Sequence, residues 1–348
     1  MVCVAAFIIL CLISVVVGFL SIFKKDIGAK WWKVFKKAWH CVFKKVRLQK
    51  CDTNFKDDVK NSILKKVVIK HPKWVKPISI AIEVIAVLIV FVTVWSIVIA
   101  IKSLLALWVF GTCNVSQPSQ CSLGAEVCSI DQAEPTNLIE KLGQGFGEWG
   151  EIFAAIPDRL KTWDANSFKV TTVAALGNPE GSTVLEIIDP GCSVCLQSYR
   201  NLQKDQDFLE AHQVKFAIYP ITLPDGSYKF KNSGLLARYL YAATPGYSAQ
   251  LLERIFTERN DDGVNYQTVF NEQLSAEDAK ATIEEWLVGW GASAADVTKI
   301  SELANSAAVE DILQSTKHIV EQEINAKGIP VMLVDGRKVS GLFKAPEE

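Results

Sequence analysis

An α/β domain behind two membrane-spanning helices is the fold class that this sequence of 348 residues predicts. Three observations predict it. Two long apolar runs bracket a basic loop. The run Thr183-Val-Leu-Glu-Ile-Ile-Asp-Pro-Gly-Cys-Ser-Val-Cys195 reads as a buried strand that enters a Cys-x-x-Cys turn and then a helix. A helix-rich block then leads to Gly328-Ile-Pro-Val-Met-Leu-Val-Asp-Gly336 and Lys338-Val-Ser-Gly-Leu342, which read as a strand, a turn and a returning strand.

The first span is residues 1–23, which carry no charge before Lys24. About 20 apolar residues cross a bilayer core as a helix. A cleaved signal peptide needs basic residues ahead of a shorter apolar core. Here the charge follows the apolar run, at Lys24 and Lys25, which predicts an uncleaved span. The second span is 78–110, with its core at 78–101 and Glu83 near its start. Lys102 is placed to snorkel, and 103–110 either extend a tilted helix or lie in the interface.

Charge sets the orientation. Residues 24–76 hold 17 Lys/Arg against 4 Asp/Glu, and residues 111–348 hold 19 against 33. The basic 24–77 loop is expected in the cytoplasm, with the N-terminus and everything after about Gly111 outside. That predicts a two-pass protein of the cell (inner) membrane with a periplasmic C-terminal domain. Within the loop, Trp31, Trp32, Phe35, Trp39, Val42, Phe43 and Val46 share one helical face, and Lys33, Lys36, Lys37, Lys44 and Lys45 fill the other. Such a helix suits an anionic lipid surface, although the same charges also serve simply to fix topology. The interleaved aromatics favour lipid, and no nucleic-acid motif is present, so no nucleic-acid partner is expected.

The cysteines divide by compartment. Cys3 and Cys11 read as ordinary apolar residues of the first span, and Cys41 and Cys51 as reduced thiols. Cys113, Cys121 and Cys128 fall outside the membrane and cannot all pair with one another. One pair in a local disulfide leaves a thiol over for a partner or a second chain. Their spacings are too wide for zinc and the histidines are scattered, so no metal and no cofactor is expected. Residues 138–163 show an amphipathic helical pattern, broken at 143–147 and at Pro157. A spacer and a dimerisation helix are both open.

Residues 111–165 therefore read as a Cys-containing linker and spacer, and 166–348 as one α/β domain. Its expected strands are 168–174, 183–188 and 214–221. A helix covers 192–211. A helical insertion at about 232–327 has segments at 235–243, 250–259, 276–289, 294–304 and 309–326.

Cys192 sits at a predicted helix N-terminus, with Cys195 one turn inside. The free N–H groups of a first turn stabilise a thiolate, which makes Cys192 the expected nucleophile. Cys195 lies within reach to resolve a mixed disulfide. A static disulfide or half of a zinc site is the competing reading. Two cysteines three apart at a helix start make an exposed, labile disulfide, and no second ligand pair is near.

The order Gly-Asn-Pro, Val-Leu-Glu before Cys-x-x-Cys, a helical insertion, Gly-x-Pro-Val-x-x-Val-Asp-Gly and Val-Ser-Gly resembles the thioredoxin-fold disulfide oxidoreductases of the DsbA type. The resemblance covers about 175 residues from Gly177 onward and omits the spans and the Cys113–Cys128 segment. It implies a thioredoxin fold with a helical insertion. It implies Cys192 as attacking and Cys195 as resolving cysteine, and Pro330 as the cis-proline beside them. The Ile329 backbone would pair with an extended substrate segment. Glu186 takes the position of a buried acid that relays the Cys195 proton, unless it faces solvent at a strand edge.

The dipeptide between the cysteines is Ser193 and Val194, where strongly oxidising relatives place a histidine. Neither adds positive charge, and Asp189 would raise the Cys192 pKa if close, so a less oxidising pair is implied. The run Asp-Pro-Gly-Cys also resembles isomerases of the DsbC/DsbG kind, which are dimers. The spans, the charge pattern and the resemblance together imply a membrane-anchored, extracytoplasmic protein thiol–disulfide oxidoreductase, with oxidase ahead of isomerase or reductase. Its partners would be exported proteins with cysteines and a membrane or soluble redox partner. A different class, an assembly or holdase protein whose redox centre is secondary, is also open.

Overall fold

The computed structural model describes residues 75–344 apart from Ser122, Gly124 and Glu134. The first span, nearly all of the basic loop and Cys3, Cys11, Cys41 and Cys51 lie outside the described residues. The chain divides into two units after Ile101.

Helix α1, Val75–Phe110, runs across that division. At 1.5 Å per residue its length is about 54 Å, longer than a hydrocarbon core of about 30 Å. Among the described residues it is the one helix long and apolar enough to cross a membrane, with a stretch Val87–Phe110 of mean hydropathy 2.5. Ile80, Val84, Ile85, Leu88, Phe91, Trp95 and Ile101 are exposed along it.

The second unit starts with the last turns of α1. They pack against helix α2, Leu138–Leu160. Ala106, Val109 and Phe110 form a buried cluster with Val115, Ile152 and Ala155. Lys102 pairs with Glu148 of α2, which also accepts a 2.6 Å hydrogen bond from Ser116 Oγ. Lys102 therefore meets a carboxylate of its own chain instead of only snorkelling. The helix α2 is also continuous where the sequence predicts breaks. Its glycines cost about 1 kcal/mol each in propensity, and the Asn137 cap accepts from Glu140 N at 2.9 Å. Pro157 falls in the last turn, where few hydrogen bonds remain to lose.

The α/β domain is built on a five-stranded sheet. Its strands are β2 Ala174–Gly177, β3 Ser182–Ile188, β4 His212–Ile218, β6 Val331–Val334 and β7 Arg337–Ser340. They stand in the order β2-β4-β3-β6-β7, with β3 parallel to β4 and every other pair antiparallel. A parallel pair needs a crossover, and helices α3 Ser193–Lys204 and α4 Gln206–Ala211 supply it. Central strand β3 is buried over its last five residues, as a run rich in β-branched residues suggests, with Glu186 as the one charge in it. This mixed α/β arrangement is consistent with a thioredoxin-like fold.

The main helices between β4 and β6 are α5 Ser233–Ala242, α6 Pro245–Thr257, α7 Ala276–Gly289, α8 Ala294–Ala304 and α9 Ala307–His318. They close over one core with the sheet, through residues such as Leu202, Phe216, Leu236, Phe256 and Leu287.

Several local boundaries differ from expectation. The strand expected at 214–221 lies at His212–Ile218, and the helix expected at 309–326 lies at Ala307–His318. Two further differences have a clear cause. The edge strand lies at Ala174–Gly177, after the expected 168–174. Phe168 instead stacks on Trp163, with centroids 6.0 Å apart, and the ladder opens only where Val173 N bonds Phe216 O at 2.9 Å. The helix expected over 192–211 is two helices, because Asp205 caps the second by accepting from Phe208 N at 3.0 Å.

Candidate functional site

The site forms where β3 ends and α3 begins. The strand delivers Asp189, and the turn Asp189-Pro190-Gly191 delivers Cys192 to the N-cap of α3. The Cys192 Sγ accepts from Cys195 N at 3.4 Å. This is the first-turn placement that the sequence predicts, and it puts a helix N-terminus on the sulfur. Asp189 locks the turn with both carboxylate oxygens, accepting from Gly191 N at 2.7 Å and Ile221 N at 2.8 Å. Gln267 locks it from the insertion, donating to Pro190 O at 3.0 Å and Cys192 O at 2.8 Å.

Opposite Cys192 lies the strand β5, Gly328–Ile329, joined to β6 through a cis Ile329–Pro330 bond. Ile329 and Pro330 are buried. The Ile329 carbonyl oxygen stands 3.9 Å from Cys192 Sγ. Cys192, Cys195, Ile329 and Pro330 thus meet at one corner, and Glu186 lies close enough to Cys195 to act on its thiol. Ser193 is exposed and Val194 half-buried at the helix start.

Glu186 is fully buried on β3, not at a solvent-facing strand edge. Its Oε1 accepts from Ser198 Oγ at 2.7 Å, while Oε2 is buried without a partner. Burial pushes its carboxyl up to about 7, the Ser198 hydrogen bond opposing. A neutral carboxyl tolerates an unpartnered oxygen better than an anion does. Asp189 is likewise pushed up to about 7 by burial, against its backbone hydrogen bonds.

Cys195 is buried and carries a free thiol. Burial raises its pKa well above the ordinary thiol value. The backbone N–H of Asp189, 3.5 Å from its sulfur, works the other way, and the Asp189 and Glu186 carboxylates add to the rise. The Asp189 charge bears on Cys195.

The partner of Cys192 is a residue outside the Cys-x-x-Cys pair. Cys128 is disulfide-bonded to Cys192, with Cα atoms 6.0 Å apart, while Cys113 pairs with Cys121. The local disulfide and the odd thiol left over are both as the cysteine count predicts. What the count does not give is the destination of the third thiol. Cys128 and Ser129 form β1, a short strand antiparallel to β5, in register Cys128 to Ile329 and Ser129 to Gly328. Lys229 fastens it, donating to Ser129 O at 2.8 Å and Ser129 Oγ at 3.0 Å and lying 3.3 Å from Asp131 Oδ2. Gln267 and Lys229 carry no sequence signal, since each acts on residues far away in the sequence.

No family model matches the chain, and no curated protein matches it. Solved structures do. A thioredoxin-like oxidoreductase from Silicibacter pomeroyi is 18% identical, covers 49% of this chain and 84% of its own, and superposes with a TM-score of 0.36. The thiol-disulfide exchange protein alpha-DsbA2 from Wolbachia pipientis is 14% identical over 49% of this chain and 80% of its own, TM-score 0.35. The thiol-disulfide oxidoreductase MdbA from Corynebacterium diphtheriae is 15% identical over 47% and 79%, TM-score 0.34.

Proposed function

We propose that this protein is a membrane-anchored, extracytoplasmic protein thiol–disulfide oxidoreductase that works through Cys192 and Cys195. The observation that carries the reading is the position of Cys192. It lies at a helix N-terminus beside Ile329–Pro330, already joined to a sulfur on an added strand, with a free thiol three residues on. That is the arrangement a mixed disulfide with an extended substrate needs.

In the oxidising direction a client thiolate attacks Cys192 Sγ of a Cys192–Cys195 disulfide. The client–Cys192 bond forms, and Cys195 leaves and takes up a proton, for which the neutral Glu186 carboxyl is the nearby donor. A second client thiolate then attacks the client sulfur, releasing the client disulfide and the Cys192 thiolate. A disulfide-bearing redox partner restores the pair. Exported proteins with cysteines are the clients this placement suits. Oxidation is the favoured direction; isomerisation or reduction stays the alternative, because Ser193 and Val194 add no positive charge to hold the thiolate, which makes the pair less oxidising.

The test uses the full chain in detergent with Cys128→Ser and Cys195→Ala, so that no third thiol reaches Cys192. Mixed with an oxidised two-cysteine peptide, the reduced protein should accumulate a Cys192–peptide disulfide, and adding Cys192→Ser should abolish it. A holdase would bind the unfolded peptide equally with or without Cys192, and that result would sink the enzyme reading.

A further inference from the structure

We propose that Cys128 is a third redox cysteine and that residues 125–130 are a built-in strap. The strap fills the strand edge beside Ile329 that a client segment needs, and it leaves by thiol–disulfide exchange. The proposal rests on the redox reading of Cys192 and Cys195 and names how that site is regulated.

The strap is seated as a client would be. It adds a strand to β5, and the ladder continues where Ile130 N donates to Lys327 O at 3.0 Å. Backbone pairing of this kind reads no sequence and accepts any extended segment. The cleft is nevertheless fitted to this one. A Cβ on Gly328 would come within 2.6 Å of Val127 Cγ2. A Cβ on Gly341, at φ +98°, would come within 2.8 Å of Ala125 Cβ. Both glycines make room for the strap. Leu342 N bonds Glu126 O at 3.0 Å, and the Lys229 ammonium holds Ser129 and Asp131. With the strap seated, Cys192 is fully buried, so no outside sulfur reaches it.

Release balances internally. Cys195 gives up its proton, and its thiolate attacks Cys192 Sγ. The Cys192–Cys195 bond forms and the Cys128–Cys192 bond breaks. Cys128 leaves as a thiolate and takes a proton. One disulfide and one thiol stand on each side, so no external oxidant or reductant is needed. The strap is tethered through the Cys113–Cys121 loop. Its thiol therefore competes with clients at the high effective concentration of an intramolecular group.

The experiment uses the full chain in detergent without reductant, quenched in acid and alkylated. Disulfide-linked peptides are then identified by mass spectrometry. The wild type should yield the Cys128–Cys192 link as its major species. Cys128→Ser should yield Cys192–Cys195 and oxidise a two-cysteine peptide about fivefold faster or more, because the competent fraction rises. Lys229→Met keeps all three cysteines and should move the wild-type mixture toward Cys192–Cys195 with a matching gain in rate. A wild type showing only Cys192–Cys195, with no rate change in Cys128→Ser, overturns the strap and leaves the oxidoreductase reading standing. A slower Cys128→Ser that still forms Cys192–Cys195 also overturns it, since relieving a block cannot slow the reaction. If no variant exchanges with the peptide while the Cys128–Cys192 link persists, both readings fail and the bond is a structural one.

Discussion

Cys128 stands directly across from Ile329 in an antiparallel pair, and that register sets its sulfur on Cys192. The candidate site, the strand edge and Cys128 are therefore one structure. Its chemistry depends on the acid beneath it and on the contacts that hold the turn.

Glu186 makes stability depend on pH. Its folded pKa of about 7 lies above the ordinary carboxyl value, so the folded state binds the extra proton between about pH 4.5 and 7. Stability is greatest below that window and falls as pH rises through it. The shift corresponds to about 3 kcal/mol at most. Glu186→Gln should flatten this loss, with Asp189 supplying what remains. Chemical unfolding at pH 5 and pH 8 measures the difference. An unchanged slope would show that Glu186 does not hold the proton.

Ser198→Ala removes the hydrogen bond that Glu186 Oε1 accepts and leaves both carboxyl oxygens without a partner. The expected cost is about 1–3 kcal/mol. The loss should be larger at pH 8 than at pH 5, because the buried anion loses more than the neutral acid.

Gln267→Leu keeps the side-chain volume but releases the carbonyls of Pro190 and Cys192. Pro190 O loses its donor, while Cys192 O keeps Leu196 N at 3.1 Å, so the cost is about 1–3 kcal/mol. Thermal unfolding should show the loss. Alkylation of Cys192 in the reduced protein should speed up as the turn loosens.

Glu148→Ala strips Lys102 and Ser116 of their shared carboxylate. A half-buried ammonium left without its partner costs about 3 kcal/mol or more. The Ala106–Ile152 cluster should then open first, read as faster hydrogen exchange in α2 than in the central strand β3.

The sequence carried the outline of this site because the signals are local. A β-branched run buried on both faces reads as a central strand, and Cys192 at the helix start follows from the Asp189-Pro190-Gly191 turn. Helices α7 and α8 begin where Ser275 and Ser293 cap them, which is visible without a structure. Glu186 was legible as a buried acid only through the resemblance, since a charge in a strand points either way. The seat of Cys128 was hidden for another reason. Two residues of β-pairing with the distant Gly328–Ile329 strand, and a disulfide across a sequence separation of 64, leave no periodicity to read. The unbroken helix α2 shows the reverse error, where glycines and a late proline signal a break that packing overrides.

The central claim is that Cys192 and Cys195 form a working dithiol–disulfide couple. The most direct measurement is a redox titration of the full chain in detergent across glutathione ratios, reading the Cys192–Cys195 linked peptide by mass spectrometry. The account predicts that this link forms and titrates as a two-electron couple, changing tenfold per about 30 mV. A Cys192 that never links to Cys195 at any ratio would contradict it.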